Sequence, residues 1–318
     1  MEISVIICTY NRCESLKSVL YNLIEQEGIS NINYEVLIID NNSTDNTKAI
    51  SEEFSKKYPG LFRYFFEGKQ GKTFALNKGI REAKGDVLAF TDDDVIIDKG
   101  WIASIIKAFD ENKNCNAFGG RVNAILPNNL KIPKWIVKEG PYKNIGGPLV
   151  DHYNGESIKS YHEKGMYAPA GANMFFHKII FEKYGYFKEF LNERVKNIPM
   201  AEDTEYCFRL LRNKEEILYI PDAIVYHPVY IERLSKKYFR NYSFRIGRAS
   251  VLMNEPNKNG RKLLGVPYYI YRFLLNNLMK YAISIFSFDF KKIFFYELKL
   301  MYNLGTFYEN FIQNKYGK

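Results

Sequence analysis

Cysteine is scarce in this chain of 318 residues: Cys8, Cys13, Cys115 and Cys207 are the full set, and no two have the short paired spacing of a metal knuckle. A disulfide framework is therefore not expected at this length, and reduced thiols in a cytoplasmic protein are the simpler reading. Long apolar runs are missing as well. Arg272, Lys280, Lys291 and Lys292 interrupt the most apolar stretch, so no window approaches the roughly 18 uncharged residues of a spanning helix. The opening EISVIICTY has neither the basic start nor the long apolar centre of a secretion signal. No internal repeat is visible.

What is present is ordinary for a globular protein, with 46% hydrophobic and 25% charged residues and enough length for a packed core. The charge is unevenly placed. Residues 1–230 hold 29 Lys/Arg against 31 Asp/Glu, whereas residues 231–318 hold 16 against 5, so nearly all the positive excess lies in the last part.

Three short apolar runs each lead into a polar cluster: ISVIIC (3–8), EVLIID (35–40) and DVLAF (86–90). Leu16, Val19, Leu20, Leu23 and Ile24 recur at helical spacing between the first two, and Leu76, Ile80 and Ala83 do so before the third. Alternating strands and helices predict a parallel sheet in an α/β domain, with ligands beyond the carboxyl ends of the strands. The segments there are TYNR (9–12), DNNSTDNT (40–47) and TDDD (91–94), which places all three along one crevice. A further helix is expected over 101–109, a long irregular loop over 127–165, a short acid-opened helix over 201–212 and a strand over 217–227.

Asp92, Asp93 and Asp94 pose a question of charge. Three adjacent carboxylates at the end of a buried strand repel one another and need a positive neighbour. A divalent metal, a helix N-terminus or a basic side chain could each supply it. An isolated DDD is most simply a solvated turn, and DNNSTDNT alone reads equally well as a helix cap. Lys72 follows a Gly-containing turn, but the spacing of a phosphate-binding P-loop is absent, which argues against an ATPase.

Taken in order, VIICTYNR (5–12), IIDNNSTDNT (38–47), GKTFALNKGIREAKGDVLAFTDDDV (71–95) and AEDTEYCFRL (201–210) resemble the family 2 glycosyltransferases of the inverting GT-A fold, of the type that builds bacterial surface polysaccharides. The resemblance covers about residues 1–230. It implies a Rossmann-like α/β catalytic domain over 1–230, with a nucleotide-binding half (1–120) and an acceptor-binding half (121–230). Residues 231–318 then form a mostly helical, basic and aromatic C-terminal region.

The resemblance also implies roles. Thr9, Tyr10, Arg12, Asp40 and Lys72 would surround the nucleotide, with Asp40 on a pyrimidine base; Asp92 and Asp93 would lie near ribose and metal. Asp94 would ligate Mn²⁺ or Mg²⁺, hard cations suited to carboxylates, although three adjacent aspartates leave open whether Asp93 or Asp94 is the direct ligand, and His227 would complete that shell. A lone histidine is otherwise more often structural. Attack by an acceptor hydroxyl needs a base, and the resemblance gives that role to Asp203, with Glu202 binding acceptor or orienting its loop. GANMFF (171–176) would line donor and acceptor, Gly171 and Ala172 permitting close approach of the backbone; Trp135 could stack on a sugar or pack a loop.

The implied reaction moves a sugar from a nucleotide-diphosphate donor, UDP being favoured, to a hydroxyl of a glycan or lipid-linked acceptor. The alternative is a non-catalytic nucleotide- or glycan-binding scaffold of the same fold. For the basic tail, peripheral contact at the inner face of the cell membrane is favoured over packing or homodimer formation; nucleic acid is disfavoured because no nucleic-acid motif is visible.

Overall fold

A computed structural model describes residues 2–30, 32–127, 130, 132–163, 166, 168–189, 202–253 and 261–316. Among these, two compact units are distinguished: one of 2–125, 152–189 and 202–228, the other of 126–151 and 229–316.

The first unit is an α/β sheet. It contains β1 (Ile3–Thr9), α1 (Cys13–Ile24), β2 (Tyr34–Asp40), α2 (Thr47–Lys57), β3 (Phe62–Phe66), α3 (Lys72–Glu82), β4 (Val87–Asp92), β5 (Ile96–Ile97), α4 (Trp101–Glu111) and β6 (Ala117–Ile125). After a segment belonging to the second unit, which carries the short α5 (Gly146–Leu149), follow β7 (Lys159–Ser160), β8 (Asn173–His177), α6 (Ile179–Tyr184), α7 (Glu202–Arg212) and β9 (Ile217–Pro228). Ala201, the first residue of the helix expected over 201–212, lies outside the described residues.

Strands β1, β2 and β4 are nearly continuous apolar runs because helices cover both faces, as interior parallel strands require. In α1, Leu16, Val19, Leu20 and Leu23 form the buried stripe that the spacing predicts. The sheet order is β3-β2-β1-β4-β8-β6-β9-β5, with β7 against β9. The expected parallel arrangement holds for β3, β2, β1 and β4, but β8 runs antiparallel between β4 and β6. Strand β9 is parallel to β6. Consequently the carboxyl ends of β1, β2, β4, β6 and β9 share one edge with the start of β8.

The second unit holds α8 (Lys236–Met253), the two-residue strands β10 (Lys262–Leu263) and β11 (Val266–Pro267), α9 (Tyr268–Ile285) and α10 (Phe290–Tyr316). Helices α8 and α10 cross closely because each offers a glycine. A Cβ on Gly247 would stand 1.9 Å from the Tyr302 carbonyl oxygen, and one on Gly305 2.0 Å from that of Phe244. Arg240 grips Glu297 with two nitrogens at 2.7 and 3.2 Å, and Arg248 meets Glu309 at 2.9 Å. Trp135 packs edge-on against Phe239 and Phe294, at centroid distances of 5.0 and 4.9 Å, which is the loop-packing role of the two considered for it.

Candidate active site

The crevice is built from strand ends. In the register of the sheet, Thr9 pairs with Asp40 and Cys8 with Asp92, so the polar segments after β1, β2 and β4 begin at the same level. The first two are stapled together. Asn11, at φ 51°, donates its N–H to Ser43 Oγ at 2.9 Å and accepts the Thr44 N–H at 2.7 Å, while the Cys13 N–H donates to Asp45.

Asp40 is buried; its carboxylate accepts the Ser43 N–H and the Tyr64 hydroxyl, both at 2.9 Å. Thr9 is buried beside it, and Tyr10 is exposed. Asn41, which the sequence reading left without a role, accepts the Gly71 N–H and donates to the carbonyls of Glu67 and Lys69. Those bonds fix the turn before α3 and hence the start of the helix that carries Lys72. The sequence marks it only by its place directly after the strand-ending Asp40.

The charge question is answered by basic side chains. Arg12 binds both Asp93, at 3.1 Å, and Asp94. Lys72 Nζ lies 2.8 Å from Asp92 Oδ1 and 4.0 Å from Glu202 Oε1. Burial is the strongest single influence on the Asp92 carboxyl and would push it up, but Lys72 and the weaker positive charges around it together hold the group below its ordinary range. Asp93 differs: burial prevails over Arg12 and pushes it up to about 6. Burial likewise opposes the charge on Lys72, and the carboxylates of Asp92 and Glu202 more than restore it.

Glu202 and Asp203 open α7, whose Tyr206, Cys207 and Leu210 are buried in the core; the Tyr206 ring packs 5.6 Å from that of Phe176 on β8. Asp203 accepts the Gly171 N–H at 2.8 Å, and a Cβ at Gly171 would meet the same carboxylate oxygen at 2.8 Å. The close backbone approach expected of Gly171 is thus made to the aspartate. Burial pushes both Glu202 and Asp203 up, with Lys72 opposing.

Asp92, Asp94 and His227 each present a ligand atom within 4.8 Å of the others. His227 is the penultimate residue of β9, and its Nε2 is 3.7 Å from Asp94 Oδ1. Its Nδ1 lies 2.9 Å from the Pro228 carbonyl, which can only accept, so Nδ1–H is the donor there and Nε2 is the ring nitrogen turned toward Asp94. Two carboxylates and one such imidazole suit a divalent cation. Asp94 and His227 are therefore brought together and Asp92 joins them; Asp93 is not one of the three, and Arg12 binds it and Asp94 alike.

Asn173 lies within GANMFF, the segment expected to line donor and acceptor, and has a structural task there. It accepts the Trp101 indole N–H at 2.8 Å and donates to the carbonyls of Arg121 and Ala223, tying β8 to α4 and to the irregular step between β6 and β9.

Residues 4–185 match the family model described as Glycosyl transferase family 2, and the chain belongs to that family. It is 33% identical over 126 residues to the glycosyltransferase AglE of Haloferax volcanii, a match spanning 40% of this chain and only 41% of AglE. The mannosyltransferase PcManGT from Pyrobaculum calidifontis, solved with GDP-Man and Mn²⁺, superposes with a TM-score of 0.59 at 15% identity, covering 99% of this chain and 87% of that one. Residues 1–349 of S. aureus TarS, solved with UDP-GlcNAc, superpose with a TM-score of 0.54 at 16% identity, covering 100% and 93%. The fold is that of the GT-A glycosyltransferases, with a helical C-terminal part.

Proposed function

We propose that the chain is a metal-dependent, inverting glycosyltransferase that moves a sugar from a nucleotide-diphosphate donor, UDP being the favoured nucleotide, to a hydroxyl of a glycan or lipid-linked acceptor in polysaccharide synthesis. The observation that carries this reading is Lys72, which stands between the acidic group at the end of β4 and the acidic pair that opens α7. Two carboxylate sets from distant parts of the chain meet at one crevice, as a reaction needing both leaving-group support and a base requires.

In this reading Thr9, Tyr10, Arg12 and Asp40 form the nucleotide wall, with Asp93 held on Arg12 beside them. Asp92, Asp94 and His227 would hold Mn²⁺ or Mg²⁺, the imidazole favouring Mn²⁺, and the bound cation would supply Lewis-acid charge to the diphosphate. Asp203, fixed by the Gly171 N–H, takes the proton of the acceptor hydroxyl as its oxygen bonds to the anomeric carbon. The bond from that carbon to the diphosphate oxygen breaks on the opposite side. The products are the nucleoside diphosphate and a glycoside of inverted configuration. The place of work in this reading is cytoplasmic, at the inner face of the membrane.

Asp203→Asn preserves the acceptor for the Gly171 N–H and removes the base. Transfer from a UDP-sugar should fall by roughly 10²–10⁴-fold. Nucleotide binding, measured by calorimetry with Mn²⁺, should stay near that of the unaltered chain. Undiminished turnover in the variant would remove Asp203 from the role.

A further inference from the structure

In the second unit, helix α9 carries an apolar stripe on its open side. Leu275, Met279, Ile283 and Phe286 follow one another at spacings of four, four and three residues and are 59%, 58%, 66% and 80% exposed. Such intervals keep side chains on one helical face. The stripe does not end with the helix. At the corner into α10, Phe288 and Phe290 are 84% and 75% exposed, so aromatic rings crowd the outermost point of the turn. Contiguous exposure of this kind marks an interaction surface, whereas single exposed leucines do not.

The charges around the stripe select the partner. Arg272, Lys280 and Lys291 are exposed and Lys292 is half-buried, while Asp289 is the one acidic residue between 261 and 296. A second copy of the chain applied to this face by two-fold symmetry would bring those like charges together. A surface of fixed negative charge over an apolar interior complements both the cations and the rings. No helix among the described residues is long and apolar enough to cross a bilayer, and α9 itself carries Arg272 and Lys280. Contact is therefore with the surface.

We propose that the α9 stripe and the α9–α10 corner form a membrane-surface anchor that seats Phe286, Phe288 and Phe290 among the acyl chains of an anionic bilayer, with Lys280, Lys291 and Lys292 at its headgroups. Long lysine stems can lie along apolar surface while their ammonium groups reach phosphate. The binding strength scales with buried apolar area plus attraction to anionic lipid, and neither part alone suffices for stable attachment. The anchor stands apart from the proposed transferase chemistry, since none of its residues belongs to the crevice.

The test is co-sedimentation of the full chain with vesicles of phosphatidylcholine alone and of phosphatidylcholine mixed with phosphatidylglycerol. The unaltered chain should pellet with the anionic vesicles and much less with the neutral ones, and added salt should weaken it. Phe286→Ser/Phe288→Ser/Phe290→Ser should abolish pelleting without lowering the melting temperature, because those rings have little to lose in the folded chain. Lys280→Gln/Lys291→Gln/Lys292→Gln should weaken binding by on the order of a hundredfold. Equal pelleting by the unaltered chain and the phenylalanine variant, or equal binding to both vesicle types, would overturn the proposal. So would a dimer seen by sedimentation velocity that the phenylalanine variant dissolves while no vesicle is bound.

Discussion

Lys72 is the residue on which the two carboxylate sets depend most directly. It contacts Asp92 at 2.8 Å and stands 4.0 Å from Glu202, and its charge is the main force opposing burial at Glu202 and Asp203. A general base works only as the carboxylate, so a base whose pKa is raised by burial gives transfer that climbs with pH at values above the ordinary aspartate range. Lys72→Met removes the opposing charge while keeping an unbranched chain of similar length. The acid limb of the kcat profile should move to higher pH, and kcat at neutral pH should fall more than KM rises. Lys72→Arg, which restores the charge, should bring much of the profile back. A Lys72→Met enzyme whose pH profile matches the unaltered one would show that the lysine only packs.

At the scale of elements, Glu35 is the counterpart of that arrangement on the far edge of the sheet. It is buried on β2 and accepts the Ser4 hydroxyl of β1, the Lys84 N–H before β4 and Arg63 of β3, each at 2.7 Å; Ser4 Oγ in turn accepts the Gly85 N–H. Burial by itself would raise its pKa, but these donors together hold the carboxyl below its ordinary value. Its folded pKa is thus lower than its unfolded one, so the ionised form stabilises the fold above the unfolded value of 4.5. That contribution is lost as pH falls through the folded value. Glu35→Gln turns an amide N–H toward groups that are themselves donors and should cost roughly 3 kcal/mol at neutral pH. Urea unfolding should show the deficit shrinking toward pH 3. A deficit independent of pH would leave the loss to packing. The alternation of strands and helices in the first third was legible because the buried runs and helical stripes are strong and local. Strand β3, FRYFF, was not, since it lies at the sheet edge and is only half-buried. Nor was the antiparallel course of β8, which depends on long-range pairing with β4 and β6 that no local pattern encodes. Within the crevice, the paired acids were legible by type. Asn41 and Asn173 were not, because their work is to satisfy backbone groups contributed by other segments.

For the whole molecule, topology explains how residues as distant as Asp92 and His227 come together. Because β4, β6 and β9 all point the same way, the ends of β4 and β9 reach one edge although β8 and β6 lie between them. Arg12 and Lys72 neutralise that edge, whose Asp92, Asp94 and His227 form a donor set suited to a divalent cation. A nucleoside diphosphate brings negative charge to the same edge, so metal and nucleotide should bind with mutual support, each reducing the repulsion met by the other. A ligand present at about a hundred times its dissociation constant adds about 2.7 kcal/mol to stability, and in a unit of this size each kcal/mol is about 2–4 °C of melting temperature. Melting with UDP and Mn²⁺ together should therefore rise by about 5–10 °C, beyond the sum of the shifts with either alone. Asp94→Asn and His227→Ala should each erase the excess over that sum while leaving the melting temperature without ligand little lowered. GDP in place of UDP discriminates the base, since the acceptor pair of Asp40 is the group proposed to face it. A larger shift with GDP would transfer the donor class and leave the metal set intact, whereas a full shift in chelator would remove the metal from the site.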